Sequence, residues 1–268
     1  MQYFRFSLLA VVLLTLTACG TYQTDATTQP AGSAEVTPNE LTENFLRALK
    51  AGEDASTYVE KLADLSPEYL AGQLTTREHQ LAFWLNVYNG MTQYLLTNDP
   101  GLYDQRDQFF GTESFTVAGE LLSPNRTEHA IIRGGENRLG LGYVPQFFPN
   151  KFERTFAIDG GDSRVHFALN CGAADCPPVR IFTPATVNEQ LDRGAREYLA
   201  KHSTIKGEGK DRYLETTPLF TWFKGDFRDT DGVDDFLVKY GVLTEEEKSM
   251  DRKNKDYDWT LQTGIWAE

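Results

Sequence analysis

Residues 76–97, TREHQLAFWLNVYNGMTQYLLT, make up the most apolar helical stretch of the chain. Apolar side chains occupy most positions around this helix, from Leu81 to Leu96. A helix that is apolar nearly all round is buried inside a domain. We therefore expect the other elements of the chain to pack around residues 76–97.

A stripe of polar side chains interrupts this helix. It consists of His79, Asn86, Asn89 and Gln93, whose spacing places them on one face. Because buried amides need hydrogen-bond partners, Asn86 and Asn89 have two alternative roles. They either fix the helix to neighbouring loops or form one wall of a binding site.

Residues 164–178, RVHFALNCGAADCPP, concentrate reactive side chains, including two of the three cysteines, Cys171 and Cys176. The alternation of apolar residues from Val165 to Leu169 predicts a half-buried strand. The Asn, Gly and Asp residues that follow predict a tight loop. Cys171 would then lie at the mouth of a strand, where a side chain is held by the core and is still accessible.

The first hypothesis for this segment is catalysis by a thiol. Cys171 would be the nucleophile and His129 or His166 its base, with Glu128, or Asn86 and Asn170, orienting the imidazole. The backbone donors of the loop would lower the thiol pKa and stabilise an oxyanion.

The second hypothesis is a structural disulfide between Cys171 and Cys176. Four intervening residues allow the Cα separation that a disulfide needs. An exported chain would also meet oxidising conditions.

We expect no cofactor unless the third hypothesis, a zinc site, holds. His166, Cys171 and Cys176 would be ligands, with His129 as the fourth. Their spacing is looser than that of the usual zinc knuckle. All three hypotheses stay open at the level of sequence.

The beginning of the chain predicts export and lipidation. Residues 1–18 have an early charge at Arg5 and then an apolar run that is too short to span a membrane, as in a signal peptide. The sequence that ends in Cys19 resembles the lipobox of bacterial lipoproteins, and Gly20 favours sorting to the outer membrane. Residues 19–39 are poor in side chains that could pack, which predicts a flexible tether. We expect a lipid-anchored outer-membrane protein whose domain, residues 40–268, lies in the periplasm.

The net charge restricts the partners. The chain has 39 acidic and 26 basic residues, and a formal net charge of −13. Such an acidic surface repels nucleic acid and anionic headgroups. The expected membrane contact is therefore the lipid on Cys19 and not a basic patch.

Helical and strand patterns alternate without the regular spacing of βαβ units, which predicts an α+β fold. We expect a helix-rich single domain around a small mixed or antiparallel sheet. Predicted strands are two short ones in residues 115–122, one in 152–158, one in 212–215 and one in 257–261. A helix should begin at Ser123-Pro124 and end at Gly134-Gly135. The aromatic, glycine-rich residues 136–150 predict an irregular loop over the site.

The chain contains the motifs AFWLNVYN at 82–89, EH at 128–129 followed by IR at 132–133, HFALNCG at 166–172, CPP at 176–178, FTWF at 220–223 followed by DF at 226–227, and YDW at 257–259. In these motifs the chain resembles the domain-of-unknown-function family 547. The resemblance covers about residues 65–262. It implies one domain and no particular reaction, with a papain-like or transglutaminase-like fold as an alternative form. Arg133 and Cys176 join Asn86 and Asn89 as binding candidates.

These patterns support two expectations about function. One is a cysteine-dependent hydrolase or acyltransferase that acts on an amide or thioester bond. The other is a non-enzymatic envelope lipoprotein with a Cys171–Cys176 disulfide or a zinc site.

Overall fold

The computed structural model describes residues 21–22 and 36–268. The predicted signal peptide, Cys19 and most of the predicted tether lie outside these residues. Within residues 21–22 and 36–268, no helix is long and apolar enough to cross a membrane.

The central helix of the fold is α4, Arg77–Asn98. The Thr76 side chain caps it by accepting a hydrogen bond from the His79 N–H, and most residues from Leu81 to Gln93 are buried. Three shorter helices precede it along the chain: α1, Pro38–Ala51; α2, Ser56–Ala63; and α3, Pro67–Gln73. The prediction of a buried central helix is confirmed.

The next elements follow α4 along the chain. They are α5, Arg106–Gly111, the antiparallel pair β1, Phe115–Val117, and β2, Glu120–Leu122, and the short helix α6, Pro124–Arg126. Ser123 caps α6 through its side chain. A π-helical turn, Thr127–Ile132, continues α6 and leads to Gly134 and Gly135, which both have positive φ.

A second core lies around α8, Val187–His202. It includes α9, Leu219–Trp222, and α10, Val233–Lys239, and Phe167 joins it from the central segment. A mixed three-stranded sheet borders this core, in which β4, Tyr213–Thr216, pairs antiparallel with β3, Thr204–Lys206, and parallel with β5, Asp251–Asn254. The helix-rich α+β fold with small sheets is therefore confirmed.

Three predicted strands are wrong. The first is the strand predicted from Val165 to Leu169. Ser163–Phe167 forms a 3-10 helix, because the Asp162 side chain caps it and residues 165–170 are buried. In place of the strand predicted at 152–158, the chain forms helix α7, Lys151–Phe156, because Asn150 and Glu153 make a capping box. In place of the predicted strand at 257–261, only Leu261 forms an isolated bridge, to Ala173.

The domain begins earlier than predicted. Helix α1 starts at Pro38, and Pro38 and Asn39 are buried. Tyr22, which the sequence placed in the tether, packs against the core: its N–H donates to Thr155 Oγ1 at 3.2 Å.

Candidate functional site

A cavity of about 580 Å³ brings together side chains from distant parts of the sequence. Cys171, His129, Glu128 and His166 all line it. The structure thus places four of the five predicted catalytic residues around one space. The fifth, Asn170, is buried behind this wall and is not part of the lining.

Glu128 and His129 reach the cavity from the π-helical turn. The Tyr88 hydroxyl of α4 donates to Glu128 Oε2 at 3.4 Å. Burial, reinforced by the nearby Glu128 carboxylate, raises the pKa of Tyr88 well above its ordinary value. Tyr88 therefore stays a hydroxyl donor and fixes one side of the carboxylate.

His129 is held as a neutral imidazole. Arg133 Nη1 lies 2.8 Å from His129 Nδ1, and because a guanidinium only donates, Nδ1 is the acceptor and Nε2 carries the hydrogen. Burial lowers the pKa of His129, and Arg133 adds to the effect, although Glu128 opposes it. The hydrogen on Nε2 makes His129 a donor towards a bound ligand.

His166 is oriented by Asp226, 60 residues further along the chain. His166 Nε2 lies 2.8 Å from Asp226 Oδ2, and the ring stacks on Phe223 with centroids 4.0 Å apart. Burial opposes ionisation of Asp226, but hydrogen bonds from His166 and Arg133 outweigh it and hold the pKa of this carboxyl well below its usual range. Because the carboxylate only accepts, Nε2 of His166 is the donor. Its Nδ1 is then left as an acceptor when the ring is neutral.

Arg133 joins the two histidines into one network. Its guanidinium donates to both Asp226 oxygens, at 2.6 and 3.0 Å, and to His129. It also lies 4.8 Å from the centroid of Phe223. Arg133 is buried outside the cavity lining, so its place is behind the site and not against a ligand there.

Cys171 and Cys176 form a disulfide, with their Cα atoms 6.1 Å apart. Cys171 is half-buried and lines the cavity, whereas Cys176 is 8% exposed and is absent from that lining. The hydroxyl of Tyr257 lies 3.4 Å from the Cys176 sulfur. In this state Cys171 has no free thiol.

The amides of α4 do not form a wall of the cavity. Asn86 bonds the backbone of Phe182 in both directions, at 2.8 and 2.9 Å. Asn89 donates to Ala168 O and accepts from the Asn170 N–H. Asn89 therefore fixes the cysteine-bearing segment to the central helix, and Asn86 fixes the backbone at Phe182. These contacts agree with the first of the two alternatives for these amides.

The same segment is held from Asn170. Its side chain accepts from Gln93 Nε2 at 3.0 Å and from the Gly172 N–H, and it donates to Pro177 O at 2.7 Å. Asn170 is thus a positioning residue that shapes the loop between the two cysteines. It was expected to orient a catalytic base.

The proposed zinc ligands do not come together as a set. His166 is bonded to Asp226, His129 to Arg133, and the two cysteines to each other. In the part of the chain that the structure describes, no three side chains of His, Cys, Asp or Glu are grouped as a metal would require. The described residues therefore do not provide the ligand geometry that the zinc hypothesis requires.

The irregular loop of residues 136–150 forms part of the rim, as Arg138, Leu139 and Leu141 line the cavity. Gly142 lies so close to Asp226 that a Cβ at this position would collide with the carboxylate, and its φ is +81°. Only glycine has no Cβ and also adopts this positive φ without strain. The loop is therefore packed directly against the histidine network.

Aromatic side chains from the end of the chain complete the cavity. Trp222, Tyr257 and Trp259 line it, and Trp222 stacks on Trp259 with centroids 5.7 Å apart. Sequence reasoning placed Trp222, Tyr257 and Asp226 in family motifs but assigned them no role. Their presence in those motifs was the signal that could have found them.

Residues 72–199 match the family described as protein of unknown function, DUF547. The resemblance inferred from the motifs is confirmed over this range. The DUF547 match contains α4, the Glu128-His129 pair and both cysteines, whereas Asp226 and Tyr257 lie beyond it. Neither the curated proteins nor the solved structures gave a match.

Proposed function

We propose that this protein is an outer-membrane-anchored lipoprotein with a periplasmic domain that hydrolyses or transfers an acyl group through Cys171. One observation carries the proposal: Cys171, His129, Glu128 and His166 line the same cavity. A cavity of this size holds a small acyl compound or the end of a peptide, and its apolar and aromatic wall would exclude water from the reacting bond.

The chemistry divides among these side chains. With the disulfide reduced, the Cys171 thiol passes its proton to the acceptor Nδ1 of His166, and the resulting thiolate attacks the carbonyl carbon of an amide or thioester. The Nε2–H of His129 donates to the carbonyl oxygen as negative charge develops there. The protonated His166 returns the proton to the leaving amine or thiolate, and water then releases the acyl group from sulfur.

Asp226 and Arg133 prepare both histidines for these roles. Asp226 holds the hydrogen of His166 on Nε2, and Arg133 holds the hydrogen of His129 on Nε2. Glu128 lies 3.6 Å from His129 Nδ1 and would balance positive charge that develops near the site. Asp226 and Arg133 act as positioning residues, because neither side chain lines the cavity.

The reaction requires a free thiol, and this requirement gives a direct test. Cys176→Ala leaves Cys171 without its partner, so we expect this variant to cleave thioester and anilide reporter substrates without added reductant. Wild-type protein should do so only after reduction, and Cys171→Ala should be inactive in either case. Equal activity of the two single variants would contradict the proposal.

A second candidate function is binding without catalysis, and the closed disulfide favours it. The oxidised pair would then fix the floor of a cavity whose aromatic wall packs against a ligand. In that case Cys176→Ala would be inactive on every reporter substrate. Ligands selected by thermal shift would bind the oxidised wild type more tightly than Cys171→Ala, which lacks the disulfide.

The envelope location has its own test. Cys19→Ala would remove the lipid acceptor, so we expect the folded domain to move from the membrane fraction to the soluble periplasmic fraction. A variant that stays with the membrane after a salt wash would contradict the lipid anchor. The thiol experiments are unaffected by this outcome.

A further inference from the structure

The two sulfurs of the disulfide have different surroundings. Cys171 is half-buried and lines the cavity, whereas Cys176 is 8% exposed and borders a separate, smaller space between α8 and the end of the chain. A reagent that enters the main cavity therefore meets the Cys171 sulfur.

Hydrogen-bond donors are concentrated on the other sulfur. The Cys171 N–H donates to Cys176 Sγ at 3.1 Å. The Tyr257 hydroxyl lies 3.4 Å from Cys176 Sγ and 3.9 Å from Cys171 Sγ. Burial raises the pKa of Tyr257, so this group stays a hydroxyl donor. Both donors would stabilise negative charge on Cys176 more than on Cys171.

The loop does not depend on the disulfide for its shape. The Asn170 side chain ties it to Pro177, the Cys176 N–H donates to Ala173 O, and the Ala174 N–H donates to Thr260 O. The two cysteines are only five positions apart in the sequence, so their disulfide restricts the unfolded chain little compared with a long-range crosslink. A disulfide that contributes little to the stability of the fold can take part in a reaction.

We propose that the Cys171–Cys176 disulfide is a thiol–disulfide exchange site entered through the main cavity. A thiolate attacks Cys171 Sγ, a new sulfur–sulfur bond forms there, and the Cys171–Cys176 bond breaks. Its electron pair leaves on Cys176 as a thiolate held by the Cys171 N–H and the Tyr257 hydroxyl. A second thiolate attacks the mixed disulfide and releases Cys171, so that two thiols are oxidised to a disulfide and the cysteine pair is reduced.

The cavity indicates the kind of thiol. Trp222 and Trp259 form a stacked wall beside Cys171, which suits an apolar or aromatic group next to the incoming sulfur. A cysteine peptide with aromatic neighbours should therefore react faster than glutathione. This exchange does not rest on the acyl-transfer proposal, since it needs no carbonyl substrate.

The test is trapping of the mixed disulfide. In a Cys19→Ser background, which leaves two cysteines, the oxidised protein is mixed with glutathione or with a Trp-Cys-Trp peptide. The reaction is stopped with acid, free thiols are alkylated, and the adducts are mapped by mass spectrometry. We expect the added thiol on Cys171 and the alkyl group on Cys176, with the peptide reacting faster. An adduct mainly on Cys176 would overturn the proposal.

Two tyrosine variants form a matched pair. Tyr257→Phe removes one donor from the leaving thiolate, so exchange should slow roughly tenfold. Tyr103→Phe makes the same change near the same loop, at a buried hydroxyl without a hydrogen-bond partner, and should leave the rate unchanged. Equal rates for the two variants, or exchange only as fast as global unfolding, would also overturn the proposal. Cleavage of acyl reporters by Cys176→Ala is scored separately, so either proposal can fail alone.

Discussion

His166 Nε2 donates to Asp226 Oδ2 at 2.8 Å, and the same carboxylate accepts two hydrogen bonds from Arg133. The side chains of His166 and Arg133 are each 1% exposed, and that of Asp226 is 8% exposed. One carboxylate therefore compensates a buried guanidinium and fixes an imidazole at the cavity. The histidine network at the cavity depends on this acid.

Asp226→Asn should lower the free energy of unfolding by about 3–5 kcal/mol, because it leaves the buried Arg133 charge without a counter-ion. Urea denaturation measures this loss. The matched control is Asp235→Asn, whose carboxylate pairs with Lys248 at a more exposed site and should cost no more than about 1 kcal/mol. Equal losses for the two variants would show that the Asp226 network does not stabilise the domain.

Local signals predicted much of the fold. Helix α4 follows from its apolar circumference, and the start of α6 follows from Ser123 with Pro124. These features depend on residues within one or two helical turns, so one segment contains all the necessary information. The Asn150 and Glu153 capping box is equally local, and it could have corrected the strand predicted at 152–158.

Other features could not be predicted in this way. An alternation of apolar residues indicates a strand only where one face of the strand is exposed. All five residues of 165–169 are buried, and they contribute side chains both to the core around α4 and to the core around α8. The contact of His166 with Asp226 joins residues 60 positions apart, and nothing in either segment specifies the partner. The grouping of Glu128, His129 and Cys171 likewise depends on tertiary packing.

Asn89→Ala should destabilise the domain by about 2–4 kcal/mol. The change leaves the Ala168 carbonyl and the Asn170 N–H without partners in the core. Thermal and urea unfolding measure the loss, and Asn98→Ala, at the exposed end of the same helix, should stay within about 0.5 kcal/mol. If Asn89→Ala behaved like Asn98→Ala, these amide bonds would not hold the cysteine segment.

Trp84→Ala should cost about 3–5 kcal/mol, because a fully buried indole is removed from α4. Its ring packs edge-on against Phe83, Phe152 and Phe156. Trp259→Ala provides the comparison, since this indole is 37% exposed and should matter less for stability than for the cavity. An unchanged unfolding midpoint for Trp84→Ala would mean that α4 is peripheral.

His202 should make the domain less stable in mild acid. Burial lowers the pKa of His202 to about 4, and Lys255, whose Nζ lies 3.4 Å from Nδ1, adds to the effect. Lys201 acts in the same direction as Lys255, while Asp175, with Oδ1 3.8 Å from Nδ1, opposes them. The ring also stacks on Tyr198. His202 is therefore neutral in the folded protein at neutral pH.

In the unfolded chain the pKa of a histidine is about 6.5, so the unfolded state binds the proton first as the pH falls. The His202 contribution to stability is complete above about pH 6.5 and is lost between that value and about 4, the folded pKa, with no further loss below it. Urea unfolding from pH 7 to pH 4.5 should show a steeper decline for the wild type than for His202→Gln. Lys255→Met removes the second cause and should give an intermediate slope. Parallel pH curves for the wild type and His202→Gln would show that His202 is not the group responsible.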